Sequence, residues 1–223
     1  PAAFEPDDGA REMPTWRLPP VQSDGRRTAI PCETVYTVLP SGAVVVTNTC
    51  TVGAGLPPPP RVGVRLAMGP GFRRVAWYGR GPHESYPDRR TGAKLGRHAC
   101  RVEETDVPYM FPSENGNFSD TRWAAVTDDA GVGLVFAPAA GGEETLHFSA
   151  HEYTALDLHR AMNGYEVRRR DDGTFVTLDA RHMGLGGNDS WSRAILPQYL
   201  VPQGTYRHSV LIRPVQSAED IGR

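Results

Sequence analysis

From Thr34 onward, hydrophobic and polar positions alternate with a period of two over much of this chain. Val44, Val46, Cys50 and Val52 fall on one face of an extended segment, and Val45, Thr47, Thr49 and Thr51 on the other. That is the period of a β-strand, in which successive side chains leave opposite faces. Pro40-Ser41-Gly42 supplies a turn before it, so the segment reads as the second arm of a hairpin. Beyond a stiff connector at Pro57 to Pro60, Val62, Val64, Leu66 and Met68 alternate with Arg61, Gly63, Arg65 and Ala67, which predicts a half-buried strand. Further strands are predicted at Arg74–Tyr78, Thr121–Thr127, Gly133–Ala137 and Thr145–Ala150.

Two more hairpins are expected. One joins Tyr165–Arg170 to Thr174–Ala180 through Asp171-Asp172-Gly173, residues that tolerate positive φ. The other joins Gln198–Val201 to Tyr206–Ile212 through Pro202-Gln203-Gly204. One short helix is predicted at Thr154–Ala161, where Thr154 and Asp157 stand at N-cap and N3 spacing. About ten antiparallel strands with at most one short helix make an all-β antiparallel sandwich. The expected organisation is an irregular lead-in over 1–25, a sandwich domain over 26–216 and a tail over 217–223, with no repeat of fixed period.

Composition narrows the function classes. The chain carries 24 glycines and 20 prolines in 223 residues, about a fifth of its length against an average near 12%, a density that excludes a helical bundle. No apolar run approaches the ~20 residues of a membrane-spanning helix, so no membrane partner is expected. A net charge of -2 argues against capture of nucleic acid. The 39% hydrophobic content is enough for an ordered core. Lys94 is the only lysine, so nearly every cation is an arginine; this fits a GC-rich coding sequence and leaves room for bidentate recognition at individual sites. Cys32, Cys50 and Cys100 show no Cys-x-x-Cys spacing, which favours reduced, buried thiols and a cytoplasmic setting over a disulfide scaffold or zinc site. Pro1 stands where an initiator methionine would, and no signal-peptide core follows, so a fragment, subunit or processed product is expected. The sequons at Asn117 and Asn188 carry weight only in a secreted protein.

Candidate chemistry lies in three irregular segments: Trp77 to Arg89, Phe111 to Gly116 with Arg122-Trp123 beyond, and His182 to Trp191. Each mixes aromatic, carboxylate, amide and arginine groups. That mixture suits carbohydrate, whose apolar C–H faces stack on indoles while its hydroxyl rim needs directional partners. Trp191 ends a Gly-rich polar loop and so could project from the sandwich, although core packing is the commoner fate of a tryptophan. Arg80, Glu84, Asp88 and Arg89 read equally as an ion-pair network bracing their loop. His147 and His151 share a strand face but stand about 13 Å apart along it, too far for one metal ion. Arg168-Arg169-Arg170 is followed by Asp171-Asp172, a solvated rim rather than a nucleic-acid patch.

Tyr78-Gly-Arg-Gly-Pro-His-Glu-Ser-Tyr-Pro-Asp-Arg89, Pro112-Ser-Glu-Asn-Gly116 and Met183-Gly-Leu-Gly-Gly-Asn-Asp-Ser-Trp191 occur in order. Together they resemble the C-terminal domain of bacterial LacZ-type β-galactosidases of glycoside hydrolase family two, over about Arg27 to Arg213. The resemblance implies a supersandwich of the galactose-mutarotase-like type and a part in hydrolysing terminal β-D-galactosides such as lactose. It also implies that Trp191 is an aromatic platform for substrate at a mouth formed with another domain. Asn188, Asp189, Arg80, His83, Glu84, Glu114 and Asn115 are the accompanying substrate-binding candidates.

The chain departs from the family pattern at His83 and Ser85, where Gln and Asn are usual, at Asn188 in place of the first Asp, and at Phe118 in place of Arg. Retaining hydrolysis needs two carboxyl groups about 5–5.5 Å apart. The resemblance places these in a (β/α)₈ barrel of about 250 residues that this length and pattern do not hold. No catalytic residue and no cofactor is therefore assigned to this chain; magnesium and sodium are implied for the full enzyme. The implied partners are the galactoside, the catalytic barrel as domain or subunit, and further copies in a homo-oligomer. Two alternatives stand. One is an aldose mutarotase or epimerase using His83, His151, Glu114 and Arg80, and the other is a non-catalytic sugar-binding module.

Overall fold

The computed structural model describes residues 30–139, 144–192 and 194–221, so the expected lead-in over 1–25 lies outside the described residues. Among the described residues eleven strands form two antiparallel sheets. They are β1 (Cys32–Val38), β2 (Val44–Val52), β3 (Arg61–Met68), β4 (Arg74–Gly81), β5 (Lys94–Arg101), β6 (Phe118–Thr121), β7 (Trp123–Thr127), β8 (Gly133–Pro138), β9 (Leu146–His151), β10 (Thr174–His182) and β11 (Gly204–Val215). A seven-stranded sheet has the order β1-β2-β11-β8-β7-β4-β5, and a four-stranded sheet the order β3-β10-β9-β6. The all-β sandwich read from the alternation is the fold.

The core lies between the sheets. Val75 and Trp77 of β4, Phe118 of β6, Phe136 of β8, Phe148 of β9, Leu178 of β10 and Val210 of β11 form one buried cluster. Trp77 stacks on Phe118 with ring centroids 4.0 Å apart, and Phe118 on Phe148 at 6.3 Å. Each such side chain withdrawn from water contributes about 1.5–3 kcal/mol. The indole Nε1–H of Trp77 donates to the Arg80 carbonyl at 2.9 Å, so its burial leaves no orphaned donor. The helix α1 (Ala155–Arg160) starts where its capping signal predicts, with Asp157 N donating to Thr154 Oγ1 and Thr154 N to Asp157 Oδ2.

Several expectations are corrected. Tyr165–Arg170 is not a strand: Gly164–Glu166 is a short 3-10 turn, and β10 pairs with β3 and β9 instead. Three successive arginines leave no apolar face to bury, and two of them turn to distant carboxylates. Arg170 grips Asp157 through Nε at 2.8 Å and Nη2 at 3.0 Å, while Arg169 pairs with Asp106 and Glu152. Gln198–Val201 is likewise no strand, since Pro197 opens a 3-10 turn over Pro197–Tyr199, and β11 pairs with β2 and β8. The stretch expected as one strand over 121–127 is divided between β6 and β7, which lie in different sheets on either side of Arg122. The corner is made by Asp120, at φ 53°. Strand β5 carried no clear alternation because it is a half-exposed edge. Cys50 is buried as expected, but Cys100 is only half-buried and Cys32 is exposed; all three are free thiols.

Candidate functional site

The loop after β4 and the segment before β6 are sewn together by Glu84. Its Oε2 accepts from Gly116 N at 2.8 Å, and its Oε1 accepts from the Tyr109 hydroxyl at 2.5 Å and from Arg89 Nη2 at 3.4 Å. Next to it Ser85 is fully buried: its N–H donates to Asn117 O at 2.7 Å, and its Oγ accepts from Ser119 N at 3.0 Å. Asn115 is buried too, its Oδ1 accepting from Val107 N at 3.1 Å and its Nδ2 donating to Ser113 O at 3.0 Å. Arg80 donates to Asp120 Oδ2 at 2.5 Å and to the Arg90 and Ala93 carbonyls at 3.1 and 3.0 Å. Glu84, Asn115 and Arg80 are thus engaged with protein partners, whereas His83 is exposed.

A charged cluster closes one end of the four-stranded sheet. Arg61 and His182 are cross-strand partners on β3 and β10, and the register shifts between Asp179 and Arg181, so Ala180 is an extra residue. Such a bulge re-aims the side chains beside it. Arg61 Nη2 pairs with Glu114 Oε2 and lies 3.1 Å from His182 Nε2, while Nη1 stands 3.5 Å from Asp179 Oδ2. His182 Nδ1 lies 2.7 Å from the Met183 carbonyl. A carbonyl can only accept, so Nδ1 carries a proton, while Nε2 faces both Arg61 Nη2 and Glu114 Oε1, the latter at 3.5 Å. Gly63 makes room for the arrangement: a Cβ there would lie 2.2 Å from Asp179 Oδ1 and 2.4 Å from Leu178 O.

The electrostatics of the cluster are opposed. Burial would raise the carboxyl of Glu114, but the His182 hydrogen bond and the Arg61 guanidinium outweigh it and hold the group at about 2. Asp179, 2% exposed, is pushed up to about 6 because burial outweighs the pull of Arg61 and His182. Burial, and then the neighbouring His182, lowers His147 to about 3; burial also lowers His151. A cavity of about 570 Å³ opens over this face, lined by Arg61, Glu114, Asp179, His182, His151 and Phe175 among others. Arg80 and His83 do not line it, so the four residues of the mutarotase alternative are not gathered there. Among the described residues no group of three or more His, Cys, Asp or Glu side chains is placed to hold a metal ion.

The third segment forms the rim of this cavity through Met183, Gly184 and Leu185. Met183 N donates to Pro60 O at 2.9 Å, and Gly184 N to Tyr199 O at 2.8 Å. Asp88 then fixes the loop from outside, its Oδ2 accepting from Gly186 N at 2.8 Å. Gly186 and Gly187 turn the chain with φ of 75° and 84°, values that glycine adopts without cost. Asp189 Oδ1 accepts from the N–H groups of Trp191 and Ser192 at 3.0 and 2.6 Å, an Asx turn that presents the indole outward. Trp191 is 85% exposed, and Asn188 beside it is exposed as well. The three segments therefore converge, tied by the Glu84–Gly116 and Asp88–Gly186 hydrogen bonds. Sequence reasoning did not single out Arg61 or Asp179, named His182 only as the first residue of the third segment, and did not find the part played by Asp88. Asp179 shares its strand face with Phe175 and Thr177, opposite the apolar face of Val176 and Leu178, so the alternation carried no signal for it.

A family model described as beta galactosidase small chain matches residues 11–212. Among curated proteins, the chain is 42% identical over 158 residues to a beta-galactosidase of Vibrio cholerae, covering 71% of this chain and 14% of that protein. It is 34% identical over 185 residues to a beta-galactosidase of Priestia megaterium, covering 82% and 17%. The corresponding figures for a beta-galactosidase of Streptococcus thermophilus are 34% over 184 residues, 82% and 18%. The chain thus spans less than a fifth of the length of these relatives.

Proposed function

The chain belongs to the beta-galactosidase small-chain family, and from that premise we propose that it is the sandwich domain of an enzyme hydrolysing terminal β-D-galactosides such as lactose. Trp191 serves as an aromatic platform for the sugar at a mouth shared with a catalytic barrel. The observation that carries this reading is the placement of Trp191: an indole 85% exposed at the tip of a loop tied down by Asp88 and Asp189. Burying a bare indole against water alone gains nothing, whereas the C–H face of a galactose ring gives it a partner. The acid/base carboxyl and the nucleophile belong to the barrel, as do the magnesium and sodium of the full enzyme. Glu114, paired with Arg61 and held at about 2, stays ionised and is unsuited to be the proton donor. Assembly with the barrel, as domain or subunit, and into a homo-oligomer completes the enzyme, in a cytoplasmic setting.

Two measurements test the reading. In the intact enzyme Trp191→Ala raises KM for lactose several-fold while leaving the domain folded; unchanged kinetics remove Trp191 from the site. The purified chain alone hydrolyses no chromogenic β-galactoside, and hydrolysis by it would place the carboxyl pair within these residues. Rapid galactose mutarotation by the same preparation would favour the second reading, to which Glu114 and His151 contribute by lining one cavity.

A further inference from the structure

The edge of the seven-stranded sheet carries a pair of thiols in direct opposition. β1 is an outermost strand, and each of its seven residues is exposed. Its first residue, Cys32, is the register partner of Cys50 on β2. Thr51 N donates to Pro31 O at 3.0 Å, which makes the pair before it hydrogen-bonded and Cys32–Cys50 the non-hydrogen-bonded kind. In such pairs the Cα atoms stand about 4.5 Å apart and the side chains approach closely. That separation falls within the roughly 4.4–6.8 Å that a disulfide spans, so a bridge needs no backbone movement. The two Sγ atoms already lie 2.7 Å apart. Cys32 is open to solvent, while Cys50 is buried and its Sγ lies 3.0 Å from Asn48 Oδ1. Cys100, the third thiol, lies on β5 at the opposite edge of the sheet.

We propose that Cys32 and Cys50 are an oxidation site, closed by hydrogen peroxide into a cross-strand disulfide that staples β1 to β2. The exposed Cys32 sulfur attacks the peroxide; an S–O bond forms, the O–O bond breaks and one water leaves, giving a sulfenic acid. The Cys50 sulfur then attacks that of Cys32. The S–S bond forms, the S–O bond breaks, and the hydroxide leaves with the Cys50 proton as a second water. Two electrons pass from the two sulfurs to the peroxide oxygens. A dithiol reverses the closure by thiol–disulfide exchange. Burial, followed by the neighbouring Cys32, raises Cys50 to about 11, which agrees with Cys32 being the thiol that meets the oxidant first.

The test uses the whole 223-residue chain, treated with hydrogen peroxide, denatured, alkylated with iodoacetamide and weighed intact. The reduced chain takes three labels, one for each cysteine. The oxidised chain takes one, on Cys100, and digestion yields a linked peptide pair holding Cys32 and Cys50. Cys100→Ser keeps the bridge, and Cys32→Ser, a change at an exposed edge position, abolishes it without endangering the fold. Amide hydrogen exchange in β1 slows on oxidation and recovers with dithiothreitol. Three labels after oxidation, a sulfenic or sulfinic acid on Cys32 with Cys50 still alkylated, or a bond joining two chains on a non-reducing gel would each overturn the proposal.

Discussion

Asp179 and Glu114 face the same guanidinium yet bind protons in opposite senses, and stability against pH should show both. The folded chain holds the Asp179 proton with a pKa of about 6 against an ordinary 3.8, and the Glu114 proton at about 2 against 4.5. One pH step between folded and unfolded affinities is worth about 1.4 kcal/mol. Asp179 therefore costs the fold about 3 kcal/mol when ionised above pH 6, and this cost disappears as pH falls through about 6 toward 3.8, where the folded state binds the proton first. Glu114 acts the other way. Its stabilisation is complete above 4.5 and is lost as pH falls toward 2; with the side chain 30% exposed, solvent screening trims it to about 2 kcal/mol. The cluster contributes most between pH 4 and 5. Urea unfolding at fixed ionic strength from pH 8 to pH 3 reads this directly. Buried His147 and His151, whose proton affinity the fold lowers, lose stability over the same range, so the readout is the difference between chains: Asp179→Asn, already neutral, is more stable than the parent at pH 7 by up to about 3 kcal/mol, and that advantage shrinks as pH falls through 6 toward 3.8. Glu114→Gln follows the parent between pH 7 and 5 but lacks the part of the parent's loss below pH 4.5 that Glu114 contributes. Parallel profiles for the parent and Asp179→Asn between pH 7 and 5 would refute the placement of an ionised Asp179 in a dry site.

Two further changes address the frame around the cluster. Gly63→Ala puts a methyl group 2.4 Å from Leu178 O and 2.5 Å from the Asp179 Cα, both backbone atoms of the paired strand; overpacking of this kind costs about 1–3 kcal/mol in urea unfolding, and an unchanged midpoint would mean that β3 and β10 separate freely. Thr154→Ala removes one half of the reciprocal cap on α1 and is expected to cost about 1 kcal/mol, with Thr154→Ser restoring most of it in the same assay.

Local signals were legible in the sequence and distant partners were not. The alternation of β2 and β3 and the Thr154–Asp157 cap involve neighbours a few residues apart, and each appears where it was expected. Arg168 to Arg170 looked like a strand rim because the carboxylates that capture Arg169 and Arg170 lie elsewhere: Asp106 is 63 residues from Arg169. The same limit governs the site. The three loop segments were visible as motifs, and the structure joins them through hydrogen bonds spanning 32 and 98 residues. Which of their polar groups face inward was not visible. Glu84 and Arg80 are the same residue types that would hold a sugar, and only the positions of Tyr109, Gly116 and Asp120 show that they hold the loops. Asp88 and Asp189, by contrast, bond to main-chain N–H groups of the Trp191 loop, a role that follows from backbone course rather than from composition.

The place of β11 has a bearing on biosynthesis. It is the last strand among the described residues, yet it lies between β2 and β8 in the seven-stranded sheet. While a ribosome is still translating the middle of the domain, β1-β2 and the β8-β7-β4-β5 block have no ladder joining them. Two half-sheets with open edges must wait for residues 204–215 before either is bridged. Open edges of that kind invite pairing with other chains. Emergence of β11 from the exit tunnel is accordingly the step on which acquisition of the native sheet depends, and the interval before it is when a nascent chain is most exposed to aggregation.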